Sequence, residues 1–293
     1  MTTYTFATID PRPAAREAAL ADLAATPSFG LEVTVAELAE ACSLGNLDPQ
    51  HLGGNAEVAA IEEAVTVTLP PSGSRLVTVR ADADSVGSMA VLAMREDGVE
   101  ITEGVLQRVG VIADSDKHHS EWSPVAGVVP ATVFDGLKAE VMNFRRTLEE
   151  RVGLVRAWLE TGDFAGSAET VAAVDRERSE TVGLVGQVAA AAGGRIAVVE
   201  STSRFAVSAA YAVADVVVAV NPAFRFGGGD PHRKVTVCQQ RPGLVDLAGV
   251  FKALGAVEEG WGGSPTIGGS PQGVSSQLTL DEVAQIVEEH LLG

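Results

Sequence analysis

The residues best suited to chemistry lie in one stretch, Leu76-Val-Thr-Val-Arg-Ala-Asp82-Ala-Asp84-Ser-Val-Gly87-Ser88. The β-branched run Val77-Thr78-Val79 predicts a buried strand. Asp82 and Asp84 follow where that strand should end, and Gly87 and Ser88 open a helical run, Met89 to Met94. Ends of parallel strands are where α/β sheets bind ligands. Two carboxylates in three residues repel each other unless a cation lies between them. A hard divalent ion is the usual partner of such oxygens. The competing reading is a pair of solvated aspartates in an ordinary strand-to-helix turn.

Two further clusters carry ligand-type side chains. Arg108 to Ala113 reads as a second buried strand, ending in Asp114-Ser-Asp116-Lys-His118-His119. Neutral imidazoles are common metal ligands, so Asp114, Asp116 and His118 join Asp82 and Asp84 as candidates. Against this, a lone strand-end Asp such as Asp114 is often a helix cap, and a histidine pair is often merely exposed. The loop Asn46 to Asn55 adds Asp48 and His51. Asp10, before Pro11, reads as a turn residue.

These groups need elements to hold them. Tyr4 to Ile9 alternates and predicts a strand, and residues 14–25 a helix. Thr34 with Glu37 fits a capping box, and Asn55 suits the cap of a helix over Ala56 to Val65. Gly98 to Ile101 reads as a short strand. From Thr132, apolar residues at Val133, Leu137, Val141, Phe144, Leu148, Val152, Val155 and Leu159 predict one long amphipathic helix. A further helical region spans 167–192. Strands are expected at 195–199, 215–220 and 235–238, with helices at 204–211 and 245–254. Thr279 with Glu282 forms a capping box for the last helix. The expected fold class is α/β, as two α/β domains, residues 1–129 and 194–293, joined by a helical connector over 130–193.

The second half offers a different chemistry. Trp261 to Gly273 is glycine-rich, and Gly262, Gly263, Gly268 and Gly269 would let backbone N–H groups approach a phosphate around Ser264. A plain connector is the alternative. Arg225, His232, Arg233 and Lys234 form a compact basic cluster, either an anion contact or a solvated rim.

Composition narrows the partners. The chain has 293 residues, 46% apolar and 20% charged, enough for a sizeable core. A net charge of −18 repels long nucleic acid and anionic membranes. An anionic substrate must therefore meet a local cation. Two distant cysteines, Cys42 and Cys238, suit a reducing cytoplasm and do not form a zinc pattern. No signal peptide and no membrane span are expected. The sequence sets no oligomeric state; a homodimer is the assembly considered.

The segment Asp82-Ala-Asp84-Ser-Val-Gly87-Ser88 resembles the first motif of the DHH phosphoesterases. Asp114 with Asp116-Lys-His118-His119 resembles in part their later Asp and Asp-His-His motifs. Residues 195–220, the strand around Val235, the helix after Asp246 and the loop 261–270 resemble the DHHA1 domain, whose Gly-Gly-His loop meets substrate. There are departures. Arg80 and Ala81 stand where the family has a histidine, Lys117 interrupts the histidine motif, and Gly262-Gly263 is followed by Ser264. The first motif also lies far from the start. A circularly permuted catalytic domain accounts for this, with Asp48-Pro-Gln-His51 in place of the Asp-His-His loop.

The resemblance implies a phosphoesterase using one or two Mn²⁺ or Mg²⁺ ions. Hydroxide on the metal would be the nucleophile, and the substrate a small phosphorylated or nucleotide-like molecule in a cleft between the domains. Asp82, Asp84, His118 and His51 would serve the chemistry, with Asp48, Asp114 and Asp116 as further metal ligands. Arg204, His232, Arg233 and the glycine loop would hold the substrate. The alternatives are a degenerate nucleotide-binding or regulatory protein, and a metal hydrolase of a non-phosphate bond.

Overall fold

The computed structural model describes residues 2–51, 58–118, 131–164, 168–184, 188–226 and 229–292. It is a mixed α/β protein with two sheets in two compact units. The first unit holds β1 (Thr5–Thr8), α1 (Arg16–Ala25), β2 (Ser28–Leu31), α2 (Ala36–Ala41), β3 (Asn46–Leu47), α3 (Ala60–Ala64), β4 (Arg75–Thr78), α4 (Ala83–Glu96), α5 (Glu103–His118), α6 (Ala131–Val141) and α7 (Leu148–Thr161). Its sheet order is β1-β4-β2-β3, and every pairing is parallel. Parallel pairing brings the C-terminal ends of all four strands to one edge. The residues just after β2, β3 and β4 are therefore neighbours although they lie far apart in the chain.

Both faces of this sheet are covered. On one, Leu31, Leu76, Ile61, Met89, Ile112 and Trp158 share a core. On the other, Leu23, Val33, Leu38 and Val77 share a second. β2 and β4 sit between these layers and are buried almost throughout, as parallel strands generally are. Phe134 and Leu137 of α6, with Val152 and Trp158 of α7, complete the first core, so residues expected in the connector pack within this unit.

The chain passes to the second unit within α8 (Ala168–Leu184). This unit holds β5 (Ala189–Ala191), β6 (Ile196–Glu200), α9 (Ala206–Ala210), β7 (Val216–Phe224), β8 (His232–Gln239), α10 (Leu247–Val257), β9 (Gly262–Gly263), β10 (Ile267–Gly269) and α11 (Leu280–Glu289). The sheet order is β5-β6-β7-β8-β10-β9, with β6 and β7 parallel and the other pairs antiparallel. No helix among the described residues is long and apolar enough to cross a membrane.

Several local expectations give way. Arg108 to Ala113 is the middle of α5, because Val105, Val109 and Ile112 bury one helical face at spacings of four and three. β-branched residues lost to a helix in this way show packing overriding propensity. Gly98 to Ile101 forms no strand; Gly98, at φ 71°, closes α4 as Val99 N–H donates to the Met94 carbonyl. Thr34 caps nothing, since α2 begins after Val35 and Glu37 pairs with Arg16. The single long helix is two, α6 and α7, with Thr147 and Glu150 forming a capping box between them and Phe144 left exposed. The helical reading of 167–192 stops at Leu184, and Ala189–Ala191 instead adds a strand. The proposed cap Asn55 and most of its helix start lie outside the described residues. The box at Thr279 and Glu282 forms as expected.

Candidate metal centre

The carboxyl edge of the first sheet gathers acids. Glu32 follows β2, Asp48 follows β3, and Asp82 and Asp84 follow β4. Asp116 joins them from α5. Ligand oxygens of Glu32, Asp84 and Asp116 lie within 4.8 Å of one another. Asp10, after β1, is outside the group, held by the guanidinium of Arg12.

Each acid is placed by its backbone. Asp82 is the N-cap of α4, accepting the Ser85 N–H at 3.1 Å. Asp84 is in the first turn and only 1% exposed; its two oxygens accept the N–H groups of Ala60 and Ile61 at 2.9 and 2.8 Å. These bonds satisfy the start of α3 and fix the carboxylate. Glu32 is 8% exposed and has φ 52°, a left-handed backbone rare for a side chain of its size. Such strain persists only where surroundings enforce it, and it concentrates at functional sites. Asp48 Oδ1 lies 2.7 Å from His51 Nδ1 and accepts the His51 backbone N–H at 3.1 Å.

These oxygens are poorly compensated. Glu32 Oε2, Asp48 Oδ2 and Asp116 Oδ2 are buried with no hydrogen-bond partner. Burial first, then the charges of Asp84, Asp82, Asp116 and Asp48, raises the Glu32 carboxyl well above its ordinary range. Asp84 is raised for the same reasons, burial and then Asp116, with its backbone bonds opposing. Asp116 is pushed up to about 6 by burial and by Asp82. Burial pulls the His51 imidazole down, but Asp48, Asp116 and Asp82 together hold it above its usual value. Three buried carboxylates that cannot share charge comfortably, two of them with an oxygen lacking any donor, are the donor set of a hard divalent cation. The residues present therefore fit such an ion, and the buried acidic cluster offers it a site.

The sequence candidates sort unequally against this geometry. Asp84 and Asp116 converge with Glu32, and Asp82, Asp48 and His51 stand near enough to act on the group electrostatically. Glu32 is absent from the sequence candidates; its only signal is the short run Ser28-Phe-Gly-Leu31 followed directly by an acid. Asp114 lies roughly 200° around α5 from Asp116, so its expected place at a strand end is replaced by the other side of a helix. The side chain of His118, and all of His119, lie outside the described residues.

In the second unit the expected substrate groups are engaged in structure. Gly262 and Gly263 pair with Gly269 and Gly268 in an antiparallel ladder, so the anticipated loop is a hairpin. A Cβ on Gly268 would overlap the Phe251 ring and one on Gly269 the Val235 carbonyl. These glycines permit close sheet packing. Ser264 Oγ accepts the Ile267 N–H at 3.2 Å within the turn. Arg233 donates to the carbonyls of Leu278 and Ser276, and Lys234 to that of Ser270. His232 Nε2 accepts the Gly273 N–H at 3.1 Å. Arg204 pairs with Glu177 at 2.8 Å.

No protein-family model matches the chain, and no curated protein matches it significantly. Among solved structures it is similar to RecJ from Thermus thermophilus, determined in complex with Mg²⁺. There the identity is 13% and the TM-score 0.38, over 96% of this chain and 53% of that one. It is also similar to an uncharacterized protein from Helicobacter pylori, at 10% identity and TM-score 0.25, over 98% of both chains. The chain spans about half the length of the RecJ structure. At these values neither likeness bears on the chemistry of the site, which rests on its own residues.

Proposed function

We propose that the protein is a divalent-metal-dependent hydrolase of a phosphate ester or anhydride, acting on a small or short nucleotide-like substrate. The observation that carries this reading is the convergence of Glu32, Asp84 and Asp116 at the carboxyl edge of a parallel sheet. The resemblance of Asp82-Ala-Asp84-Ser-Val-Gly87-Ser88 to the first DHH motif supplies the phosphoester class. The acidic surface favours small substrates over long nucleic acid.

Glu32, Asp84 and Asp116 would hold Mn²⁺ or Mg²⁺. A bound ion of this kind supplies Lewis acidity toward the phosphoryl group and acidifies water at neutral pH. Asp84 is rigid because two backbone N–H groups fix it, and it presents its carboxylate without reorganisation. Asp48 orients the His51 ring through Nδ1, leaving Nε2 to hold or pass a proton. With its affinity for protons raised by three nearby acids, His51 is suited to protonate a departing oxygen. Asp82, committed to capping α4, sets the direction of the helix that carries Asp84.

Calorimetric titration with Mn²⁺ and Mg²⁺, beside turnover of bis-p-nitrophenyl phosphate and a short dinucleotide, tests the reading. Asp84→Asn keeps the shape and removes the charge. It should abolish detectable ion binding and lower turnover by at least about a hundredfold, the scale of losing a central catalytic electrostatic group. Wild-type ion affinity and turnover in Asp84→Asn would overturn the proposal. Ion binding by the wild type without turnover on any phosphoester would favour the nucleotide-binding or regulatory alternative.

A further inference from the structure

Arg80 lies beside Asp82 at the acidic centre and stands where the DHH family has a histidine. Its main chain is clamped. The N–H donates to Thr78 Oγ1 at 3.2 Å, and the carbonyl accepts from Thr78 Oγ1 at 3.0 Å, Ser85 Oγ at 2.6 Å and the Asp82 N–H at 3.1 Å. The side chain is not. Its guanidinium makes no hydrogen bond among the described residues, is 59% exposed, and approaches only Asp82 Oδ2, at 3.5 Å. Three other arginines of this unit show the contrast. Arg75 donates to Asp22 and Ser28, Arg95 to the carbonyls of Ala64 and Val67, and Arg108 to that of Leu159. A rigid root carrying a fork held by only one long ion pair, to Asp82, leaves donors free for a ligand beside a charged site.

Exposure gives the direction of approach. Asp84 is 1% exposed and Glu32 8%, whereas Arg80 stands at the rim. An anion entering a protein of net charge −18 would meet Arg80 before the carboxylates. A guanidinium presents parallel N–H donors that match two oxygens of one phosphoryl group.

Building on the proposed phosphoester chemistry, the geometry points to Arg80 as the residue that receives the non-bridging oxygens of the substrate's reacting phosphoryl group. It attracts the anion to the centre, orients the phosphorus toward it, and opposes the charge that grows on those oxygens in the transition state. The substrate class is thereby a group with two free oxygens on the reacting phosphorus.

The test is binding of inorganic phosphate to the Mn²⁺-saturated protein by calorimetry, with Mn²⁺ affinity and kcat/KM measured in parallel, on wild type, Arg80→Ala and Arg80→Lys. Arg80→Ala should weaken phosphate by at least about tenfold, as for loss of a charge-assisted hydrogen bond. Its Mn²⁺ affinity should be equal or tighter, because a repelling charge is gone. Arg80→Lys, keeping charge without the fork, should recover part of the loss. The fall of wild-type kcat/KM with rising salt should flatten in Arg80→Ala. Phosphate affinity within twofold of wild type, with Mn²⁺ binding intact, would overturn the role of Arg80 and leave the metal centre standing. Loss of Mn²⁺ binding together with a lowered Tm in Arg80→Ala would also overturn it, marking Arg80 as a structural partner of Asp82. Failure of the wild type to bind Mn²⁺ would remove the underlying reading itself.

Discussion

The acidic edge of the first unit and the glycine hairpin of the second both look like ligand sites in sequence, yet they differ in what their polar groups are doing. At the acidic edge, Glu32, Asp48 and Asp116 each keep a buried oxygen with no donor, and several carboxyls are forced upward by burial and then by one another. In the hairpin, Ser264 bonds within its own turn and the glycines fill a ladder, while Arg233 and Lys234 are spent on backbone carbonyls close by. A folded chain tolerates unsatisfied groups only where something else compensates them. Frustration, more than residue type, separates the candidate centre from the structural element.

The comparison is broken most sharply by Glu32→Gln. Removing one ligand oxygen from the converging set should weaken Mn²⁺ by more than about tenfold, the scale on which even the groups around metal ligands act. The metal-free Tm should hold or rise, because a carboxyl opposed by four other acids contributes repulsion to the fold. A lowered metal-free Tm with normal Mn²⁺ affinity would make Glu32 a structural residue and dissolve the contrast.

Gly269→Ala should give the opposite pair of results. The new methyl meets the Val235 carbonyl across the ladder, a backbone atom that cannot rotate away. Overpacking of this kind costs roughly 1–3 kcal/mol, which lowers Tm by about 2–4 °C per kcal/mol in a unit of this general size. Mn²⁺ affinity should not move, since every residue of the centre lies in the other unit. A Gly269→Ala protein with unchanged Tm and impaired turnover would return the hairpin to the active site.

These contrasts show what could be read before the fold was known. Asp82 and Asp84 were legible because a β-branched strand, an acid pair and a helix start follow one another within a few residues. That residues near the N-terminus lie close to Asp82 was legible through Asp48 and His51. Glu32 was hidden because β2 is four residues long, with Gly30 breaking any alternation, and because only parallel pairing with β4 makes its end adjacent to Asp84. Asp116 reads from sequence as lying beyond a strand, and it stands on α5. A strand would have put Asp114 and Asp116 on one face, whereas the helix separates them. The hairpin was misread because glycine leaves no side-chain pattern by which a strand can be recognised.

The smallest effect expected is a pH dependence whose sign marks the acidic edge. Glu32, Asp84 and Asp116 have folded-state affinities for protons above those of an unfolded carboxyl, and so does His51 for an imidazole. Groups raised in this way stabilise the fold at low pH, and that contribution is lost as pH rises through their folded values. Carboxyls held low by partners do the reverse. Glu96, lowered to about 2 despite partial burial by bonds from Thr2, Thr3 and Ser72, keeps its contribution above its ordinary value of 4.5 and loses it as pH falls from there toward 2. Between pH 7 and pH 5, then, the acidic centre dominates, and metal-free protein should gain a few degrees in Tm, on the order of 1 kcal/mol. Mn²⁺ competes with the same protons, so its affinity should fall across this interval, most steeply near the value of about 6 held by Asp116. The Tm curves of metal-free and Mn²⁺-loaded protein should therefore converge on acidification. In Glu32→Gln the metal-free slope should be shallower, while in Gly269→Ala it should keep its shape at a lower temperature. A metal-free Tm that falls steadily from pH 7 to pH 5 would mean that these carboxyls are already compensated in the fold, and that the acidic edge is as satisfied as the hairpin.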